Sequence, residues 1–177
     1  MASGYDIRCS VIVLHKHAVL LLHRTRGGLD DWVLPGGTPR EGESMTACAR
    51  RELFEETGIS ADPSQVAFVV ESAPPGSSHR VLDIVFAVSG PVLGWQSSRE
   101  PGLEPRYVPP GQLAGLNLHP SLAGHLNRLL DSGDHGYAPY IGNRWRQPAV
   151  PGPDARPGSH PERNAPRQVR RRNRGPS

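Results

Sequence analysis

Hydrophobic residues in the first half of the chain fall mostly into short runs with the character of β-strands. Aliphatic and β-branched residues at 7–14 and 18–23 flank a short polar turn and predict a β-hairpin. Residues 32–34 and 65–71 are further short strand candidates. At 80–88 the apolar residues occupy both alternating faces, which predicts a strand that is buried on both sides.

Two segments have helical spacing instead. In residues 44–57, Met45, Ala49 and Leu53 recur at every fourth position and form one apolar stripe. Ser44 is a suitable N-cap and Gly58 a suitable C-terminal cap for this helix. The second helix, predicted at 121–131, has its leucines on one side. With the Gly/Pro-rich stretch 89–105 as a loop and 106–108 as a short strand, the pattern predicts an α/β fold with a mixed sheet.

Composition divides the chain into a folded part and a tail. Residues 1–143 hold eleven basic and fifteen acidic side chains, a balance of −4, whereas the remainder holds nine arginines and two acids, a balance of +7. We therefore expect a domain at 1–134 and a Pro/Gly/Arg-rich tail at 135–177, which has too few apolar residues to offset its ordering entropy and is expected to be disordered. Contact of this tail with nucleic acid is an open alternative to a tail without a role.

The most informative chemistry lies on the first predicted helix. Glu52, Glu55 and Glu56 are spaced i, i+3 and i+4, so a helix places their carboxylates on one side. Like charges at this spacing repel unless a cation lies between them. Oxygen ligands without a nearby Cys or His cluster favour Mg²⁺ or Mn²⁺ over zinc.

The surrounding residues resemble a known motif. Residues 37–59 read GTPREGESMTACARRELFEETGI, and the preceding three are Leu-Pro-Gly. This stretch resembles the box of the Nudix hydrolases, G-x5-E-x7-R-E-U-x-E-E-x-G-U with U a bulky aliphatic residue, at every fixed position. The resemblance covers residues 11–59 firmly and extends loosely to about residue 130.

The resemblance implies a mixed sheet between helices, an α/β/α sandwich. It also implies a hydrolase that cleaves a nucleoside diphosphate linked to another group, with Mg²⁺ or Mn²⁺ as cofactor. Carried onto this sequence, it makes Glu52, Glu55 and Glu56 metal ligands, with the Gly36 carbonyl as a further one. Glu52 is also one candidate for the general base.

Several other residues are candidates for the same site. Arg51 can brace Glu43 or Glu55 through a two-point ion pair. Because members of the family differ in their base, Glu104 and Glu100 in the following loop are alternatives to Glu52. Glu104 is favoured of the two because it adjoins a predicted strand. Three basic side chains outside the box are candidates for contact with phosphate: Arg24, Arg26 and Arg80.

The substrate is less well defined than the reaction. Pro74 lies fifteen residues beyond the box, a position where members that cleave ADP-ribose carry a proline, so ADP-ribose or a nucleoside diphosphate sugar is favoured. A nucleoside triphosphate is the alternative. A non-catalytic nucleotide sensor would be expected to lose box glutamates, and an isoprenoid diphosphate isomerase would need a catalytic cysteine that Cys48 does not resemble.

Cys9 and Cys48 lack the spacing of a zinc motif or a disulfide framework, which predicts buried free thiols. No targeting segment or membrane-length apolar run is visible, so we expect a soluble cytoplasmic protein with no membrane contact. Homodimerisation is left open.

Overall fold

The computed structural model describes residues 4–25, 27–28, 30–94, 98, 100–132 and 140–146. It has nine strands and three helices within these residues. In chain order they are β1 (Tyr5–Ile12), β2 (Leu14–His15), β3 (Ala18–Arg24), β4 (Asp31–Val33), β5 (Gly36–Gly37), α1 (Met45–Thr57), β6 (Ser60–Ser72), β7 (Arg80–Leu93), β8 (Leu103–Val108), α2 (Pro110–Leu113), α3 (Ala123–Ser132) and β9 (Tyr140–Asn143).

The larger sheet has the strand order β5-β1-β7-β6-β9. Strand β1 runs parallel to β7 and antiparallel to β5, and β6 runs antiparallel to β7 and parallel to β9. The sheet is therefore mixed, as the sequence predicted.

The second sheet shows that the predicted hairpin is wrong, because β1 is not one of its strands. Only β2 pairs with β3 across the turn, while β4 and β8 pair with β3 along its length. Strand β1 lies instead in the larger sheet, between β5 and β7, where both of its edges are already paired. The chain passes from one sheet to the other at Val13, whose carbonyl accepts a hydrogen bond from the Leu20 N–H at 2.9 Å.

Strands β6 and β7 are longer than the predicted 65–71 and 80–88, and part of the predicted loop 89–105 belongs to β7 and β8. The β6–β7 pairing continues from Ser72–Val81 out to Ser60–Leu93, with three register shifts on the way. These irregularities let glycine and proline be accommodated in a paired strand. The local composition therefore predicted both strands to be shorter than they are.

The predicted boundary of the tail is also wrong in part. Residues 140–146 were expected to be disordered, but β9 adds to the edge of β6. The Asn143 side chain fixes it, since its amide nitrogen donates to the Ala73 carbonyl at 2.9 Å and its oxygen accepts from the Ala73 N–H at 3.2 Å. The Arg144 carbonyl accepts from the Ser121 N–H at 2.9 Å. The rest of the predicted tail lies outside the described residues.

Helices cover the larger sheet on two sides, which gives the α/β/α arrangement. One face packs against α1 through a core that includes Cys9, Val11, Leu53 and Phe86. The other face joins the second sheet, α2 and α3 in a core that includes Ile12, Phe68, Leu113 and Leu126. Within the described part of the chain, no helix has the length and apolar character needed to cross a membrane.

Candidate active site

Strand β5 is a Gly-Gly pair that approaches two other parts of the protein too closely for a side chain. A Cβ on Gly36 would lie 2.4 Å from the Cys9 carbonyl oxygen of β1. A Cβ on Gly37 would lie 2.2 Å from Oε1 of Glu52. The glycines thus let the backbone of β5 lie between strand β1 and the carboxylates of α1.

Helix α1 is fixed at both ends by local signals. The Ser44 hydroxyl accepts a hydrogen bond from the Ala47 N–H at 3.2 Å, and Gly58 ends the helix in the left-handed conformation with φ 71°. Leu53 is fully buried beneath the helix. These contacts place the acidic edge of α1, which flanks the buried stripe, against β5.

Glu56 is held against the backbone of this turn. Its Oε2 accepts a hydrogen bond from the Gly36 N–H at 2.8 Å. Burial raises the pKa of Glu56 to about 7, although the Gly36 N–H and the Arg8 charge act in the opposite direction. Glu56 is therefore a half-buried carboxylate that would gain from a nearby cation.

Arg51 connects the remaining acidic side chains. Its Nε and Nη2 donate to the two carboxylate oxygens of Glu43, both at 2.8 Å. Its Nη1 donates to Glu52 at 2.7 Å and to Glu55 at 3.1 Å. The hydrogen bonds from Arg51 and from the Arg40 N–H lower the pKa of Glu43 to about 2. The guanidinium group thus orients three carboxylates at once.

The glutamates supply carboxylate oxygens, which are the ligands that Mg²⁺ and Mn²⁺ prefer. They do not surround a single point as a complete set of ligands would. Among the described residues, no three acidic, His or Cys side chains are gathered as ligands would be. Glu52 and Glu56 nevertheless both converge on β5, one against Gly37 and the other on the Gly36 N–H. The ligand atoms that the glutamates offer are oxygen atoms, and the half-buried Glu56 carboxylate favours a positive partner, so these residues fit a hard divalent cation.

The two loop candidates for the general base occupy different surroundings. Both carboxylate oxygens of Glu104 lie 2.8 Å from Nη2 of Arg106, on the exposed side of β8. Glu100, in contrast, is one of the charges that raise the pKa of Glu56. The charge of Glu100 therefore reaches Glu56, as the smallest of the named contributions to its pKa.

The two candidate phosphate contacts that the structure describes, Arg24 and Arg80, are each engaged by side chains of the protein itself. Arg24 forms a two-point ion pair with the buried Asp31, at 2.7 and 2.6 Å. Arg80 lies over the ring of Tyr5, 5.1 Å from its centroid, and 3.8 Å from a Glu71 oxygen. Arg26 lies outside the described residues.

A pocket lined by residues of β1, β3, β4 and β7 was missed in the sequence. Its volume is about 160 Å³, and its walls include Arg8, Arg24, Val33, Val81, Asp83 and His119. Asp83 is 3% exposed and accepts a hydrogen bond from the Ser10 hydroxyl at 2.8 Å. The available signal was an acidic residue inside the apolar run of β7, where a buried strand should hold none.

The cysteines match their prediction. Both are free and fully buried between β1 and α1. Burial, together with the neighbouring Cys48, raises the pKa of Cys9 to about 12, so its thiol stays protonated.

A glutamate-bearing helix, a Gly-Gly turn and a mixed sheet between helices together define the Nudix class of α/β protein. The family model described as NUDIX domain matches residues 4–129. The chain belongs to this family.

Three similar proteins illustrate the range of relatives. A "Putative 8-oxo-dGTP diphosphatase 3" of Mycobacterium tuberculosis is 36% identical over 119 residues, which cover 63% of this chain and 54% of that protein. This chain thus spans about half the length of that relative. A MutT protein structure from Methanosarcina mazei is 28% identical with a TM-score of 0.59, covering 73% of this chain and 94% of the other.

An ADP-ribose pyrophosphatase structure from Streptococcus suis has a TM-score of 0.58 and covers 77% of this chain and 99% of the other. At 16% identity, this likeness concerns the fold alone.

Proposed function

We propose that this protein is a metal-dependent pyrophosphohydrolase that cleaves a phosphoanhydride bond in a nucleoside diphosphate linked to another group. The observation that carries the proposal is the convergence of Glu52 and Glu56 on the Gly36-Gly37 backbone. Arg51 holds the neighbouring carboxylates in place around them. An ordinary solvated helix face would not be expected to have its acids locked in this way.

In the proposed site, Glu52, Glu55, Glu56 and the Gly36 carbonyl would hold Mg²⁺ or Mn²⁺. Such a cation neutralises diphosphate charge and lowers the pKa of water. The protein's own contribution is positioning: Arg51 orients Glu43, Glu52 and Glu55 through hydrogen bonds of 2.7–3.1 Å. Glu52 or Glu100 would accept the proton of the attacking water.

A nucleoside triphosphate is the substrate that we favour. The relative with 36% identity over 119 residues is a putative 8-oxo-dGTP diphosphatase. The ADP-ribose interpretation depended on Pro74. The Pro74 carbonyl accepts a hydrogen bond from the Ser77 N–H at 3.1 Å in the turn between β6 and β7. Pro74 is thus the first residue of a Pro-Pro-Gly turn, in which Pro75 at the second position supplies the φ that such turns favour.

ADP-ribose and nucleoside diphosphate sugars are the second candidate class. Both classes share the diphosphate that the box would bind, and they differ in the group beyond it. The non-catalytic sensor is disfavoured because all the box glutamates are present.

The test is hydrolysis of a nucleotide panel with Mg²⁺ or Mn²⁺ by the parent, Glu56→Gln and Glu41→Gln. The panel holds nucleoside triphosphates, ADP-ribose and nucleoside diphosphate sugars, with products separated by chromatography. We expect Glu56→Gln to abolish turnover and Glu41→Gln, an exposed acid outside the carboxylate cluster, to retain it. Nucleotide binding by the parent without turnover of any substrate would refute the hydrolase and favour the sensor.

A further inference from the structure

One face of the larger sheet continues beyond the helix that packs on it. Strands β1 and β7 are paired with Cys9 opposite Ile84, and both residues contribute to the core that packs against α1. Side chains alternate along a strand, so every second residue towards the start of β1 and β7 belongs to the same face. These residues form two further cross-strand pairs, Ile7–Leu82 and Tyr5–Arg80.

Strands β6 and β9 widen this face. Leu82 lies opposite Glu71 of β6, and Val69, two residues before Glu71, lies opposite Tyr140 of β9. The side-chain contacts agree with this register. Nη2 of Arg80 lies 3.8 Å from one Glu71 oxygen, and the Tyr140 hydroxyl donates to the other at 2.5 Å. The resulting surface, called the tyrosine face below, consists of Tyr5, Ile7, Val69, Arg80, Leu82 and Tyr140 around Glu71.

The tyrosine face presents aromatic rings to its surroundings. Tyr5 is 43% exposed and Tyr140 is 58% exposed. The aliphatic side chains between them are half-buried. In the part of the chain that the structure describes, α2 and α3 pack on the opposite side of the sheet, and the core beneath α1 begins at the level of Cys9. An aromatic and aliphatic surface of this kind is typical of a site that contacts another molecule.

The charges around the tyrosine face favour an anionic partner. Glu71 is bonded to Tyr140 and lies near Arg80, and the Asp6 carboxylate lies 3.1 Å from Nδ1 of His79. The acidic groups at this surface are thus engaged by the protein itself. The guanidinium group of Arg80 lies over the ring of Tyr5, and the side chain is 37% exposed.

Further basic residues follow the strand that carries Tyr140. Arg144 and Arg146, directly after β9, are both exposed. Residues 147–177, which lie outside the described residues, hold seven arginines and two acids. A second copy of the chain would bring two such basic segments together, and their like charges would repel. A polyanion, in contrast, gains from contact with both.

Aromatic rings on an open sheet, next to arginines, are the chemistry that binds single-stranded nucleic acid. Unpaired bases stack on such rings whatever their sequence, and the arginines contact the phosphates between them. The bases of a duplex are stacked on one another, so their faces are not accessible to the rings. This difference separates a stacking surface from a purely electrostatic one.

We propose that the tyrosine face binds single-stranded nucleic acid, with bases stacked on Tyr5 and Tyr140 and with phosphates in contact with the arginines that follow β9. The surface is separate from the carboxylate cluster, which meets β5 at the edge of the sheet opposite β9. The inference goes beyond the proposed hydrolase and does not depend on it.

The test measures binding of single-stranded oligonucleotides to the full-length chain by fluorescence anisotropy. The probes are labelled oligothymidylate and oligouridylate of about 12 nucleotides, a length within the usual range of single-strand sites. A labelled duplex of the same length is the comparison. A chelator is present, so the result does not depend on metal or on turnover.

We expect Tyr5→Ala and Tyr140→Ala each to weaken single-strand binding by about fivefold to a hundredfold, the usual effect of removing a stacking ring. Tyr140→Phe keeps the ring and loses only the hydrogen bond to Glu71, so it should bind like the parent. Phe54→Ala is the matched control, because this exposed ring lies on α1, outside the tyrosine face, and should leave binding unchanged.

Duplex binding should be weaker than single-strand binding and should not respond to the tyrosine substitutions. Thermal unfolding shows which variants are folded. If Tyr140→Ala disturbs β9, Tyr5→Ala on β1 tests the same surface independently.

The contribution of the basic segment is measured in the full-length chain by replacing four arginines with glutamine. The slope of log K against log salt should fall by about 0.7 for each arginine that contacts a phosphate. The ratio of affinities between the parent and Tyr140→Ala should be the same with and without these substitutions. The four arginines are Arg170, Arg171, Arg172 and Arg174.

Several results would overturn the proposal. Parent-like binding by both alanine variants would mean that the contact is purely electrostatic, and duplex binding as tight as single-strand binding would mean the same. Absence of binding by the parent would also refute it. A parent dimer that becomes a monomer in Tyr140→Ala, measured by light scattering, would assign the tyrosine face to a second copy. Tighter binding by the glutamine variant would assign the face to the chain's own terminal segment.

Discussion

Arg51 and Glu43 form a two-point ion pair, with Nε bonded to Oε1 and Nη2 bonded to Oε2, each at 2.8 Å. Both side chains are largely covered, at 17% and 15% exposure. The remaining nitrogen, Nη1, is thereby directed towards Glu52 and Glu55. The acidic cluster is thus ordered by a single guanidinium group, whose planar fork a lysine cannot reproduce.

Arg51→Lys should therefore lower kcat while the protein stays folded. The charge is retained, but an ammonium group cannot reproduce the two-point contact with Glu43 while also reaching Glu52 and Glu55. Misplacement of catalytic groups costs on the order of 10²-fold in rate. Steady-state hydrolysis of the best panel substrate is the measurement. Arg50→Lys is the matched control, because Arg50 pairs with the exposed Asp62 away from the cluster. Equal activity of both variants would show that Arg51 does not position the glutamates.

The identity of the general base gives a second prediction. Glu104 is bonded through both oxygens to Arg106, whereas Glu100 acts on the charge of Glu56. Glu100→Gln should lower kcat by about 10²–10⁴-fold, the usual contribution of a general base. Glu104→Gln should remain close to the parent. If Glu104→Gln lost activity and Glu100→Gln kept it, Glu104 would be the general base. Full activity of both variants would leave Glu52 as the base.

The local parts of this structure could be predicted from the sequence, and the non-local parts could not. Helix α1 was predicted at 44–57 and is observed at Met45–Thr57, because its caps, apolar stripe and acidic side are all encoded within a few residues. The pairing of β1 with β7 joins segments about 75 residues apart, and no turn signal specifies it. The predicted hairpin extended a two-residue pairing into a long one for this reason.

The same distinction between local and non-local features applies to the candidate active site. The box glutamates could be identified because their spacing is local, although their roles are still proposals. The pocket could not, because Arg8, Asp83 and His119 come from three distant segments. Strand β9 was missed because its backbone is fixed by Asn143 on Ala73, a contact that its Gly/Pro/Arg-rich composition does not reveal.

Glu56 predicts a pH dependence of stability in the metal-free protein. Its pKa is raised from 4.5 to about 7 in the folded state, chiefly by burial. The folded protein therefore binds more protons than the unfolded chain between these values, so this contribution is fully present below pH 4.5 and is lost as pH rises to about 7. A shift of this size corresponds to on the order of 3 kcal/mol.

Urea unfolding with a chelator at pH 5 and pH 8 measures this effect. Glu56→Gln cannot ionise, so its stability relative to the parent should increase from pH 5 to pH 8. Glu41→Gln, at an exposed position, should follow the parent at both values. Parallel pH profiles of the parent and Glu56→Gln would contradict the raised pKa.

Gly37→Ala should separate activity from stability. The new Cβ would lie 2.2 Å from Oε1 of Glu52, so the carboxylate must leave its place against β5. The obstacle is the end of a flexible side chain rather than backbone, and the fold should therefore be preserved. We expect kcat to fall on the order of 10²-fold with little change in the urea midpoint.

Gly124→Ala in α3, where a Cβ meets nothing within 4 Å, is the control and should retain full activity. Full activity of Gly37→Ala would mean that the observed position of Glu52 is not the one used in catalysis.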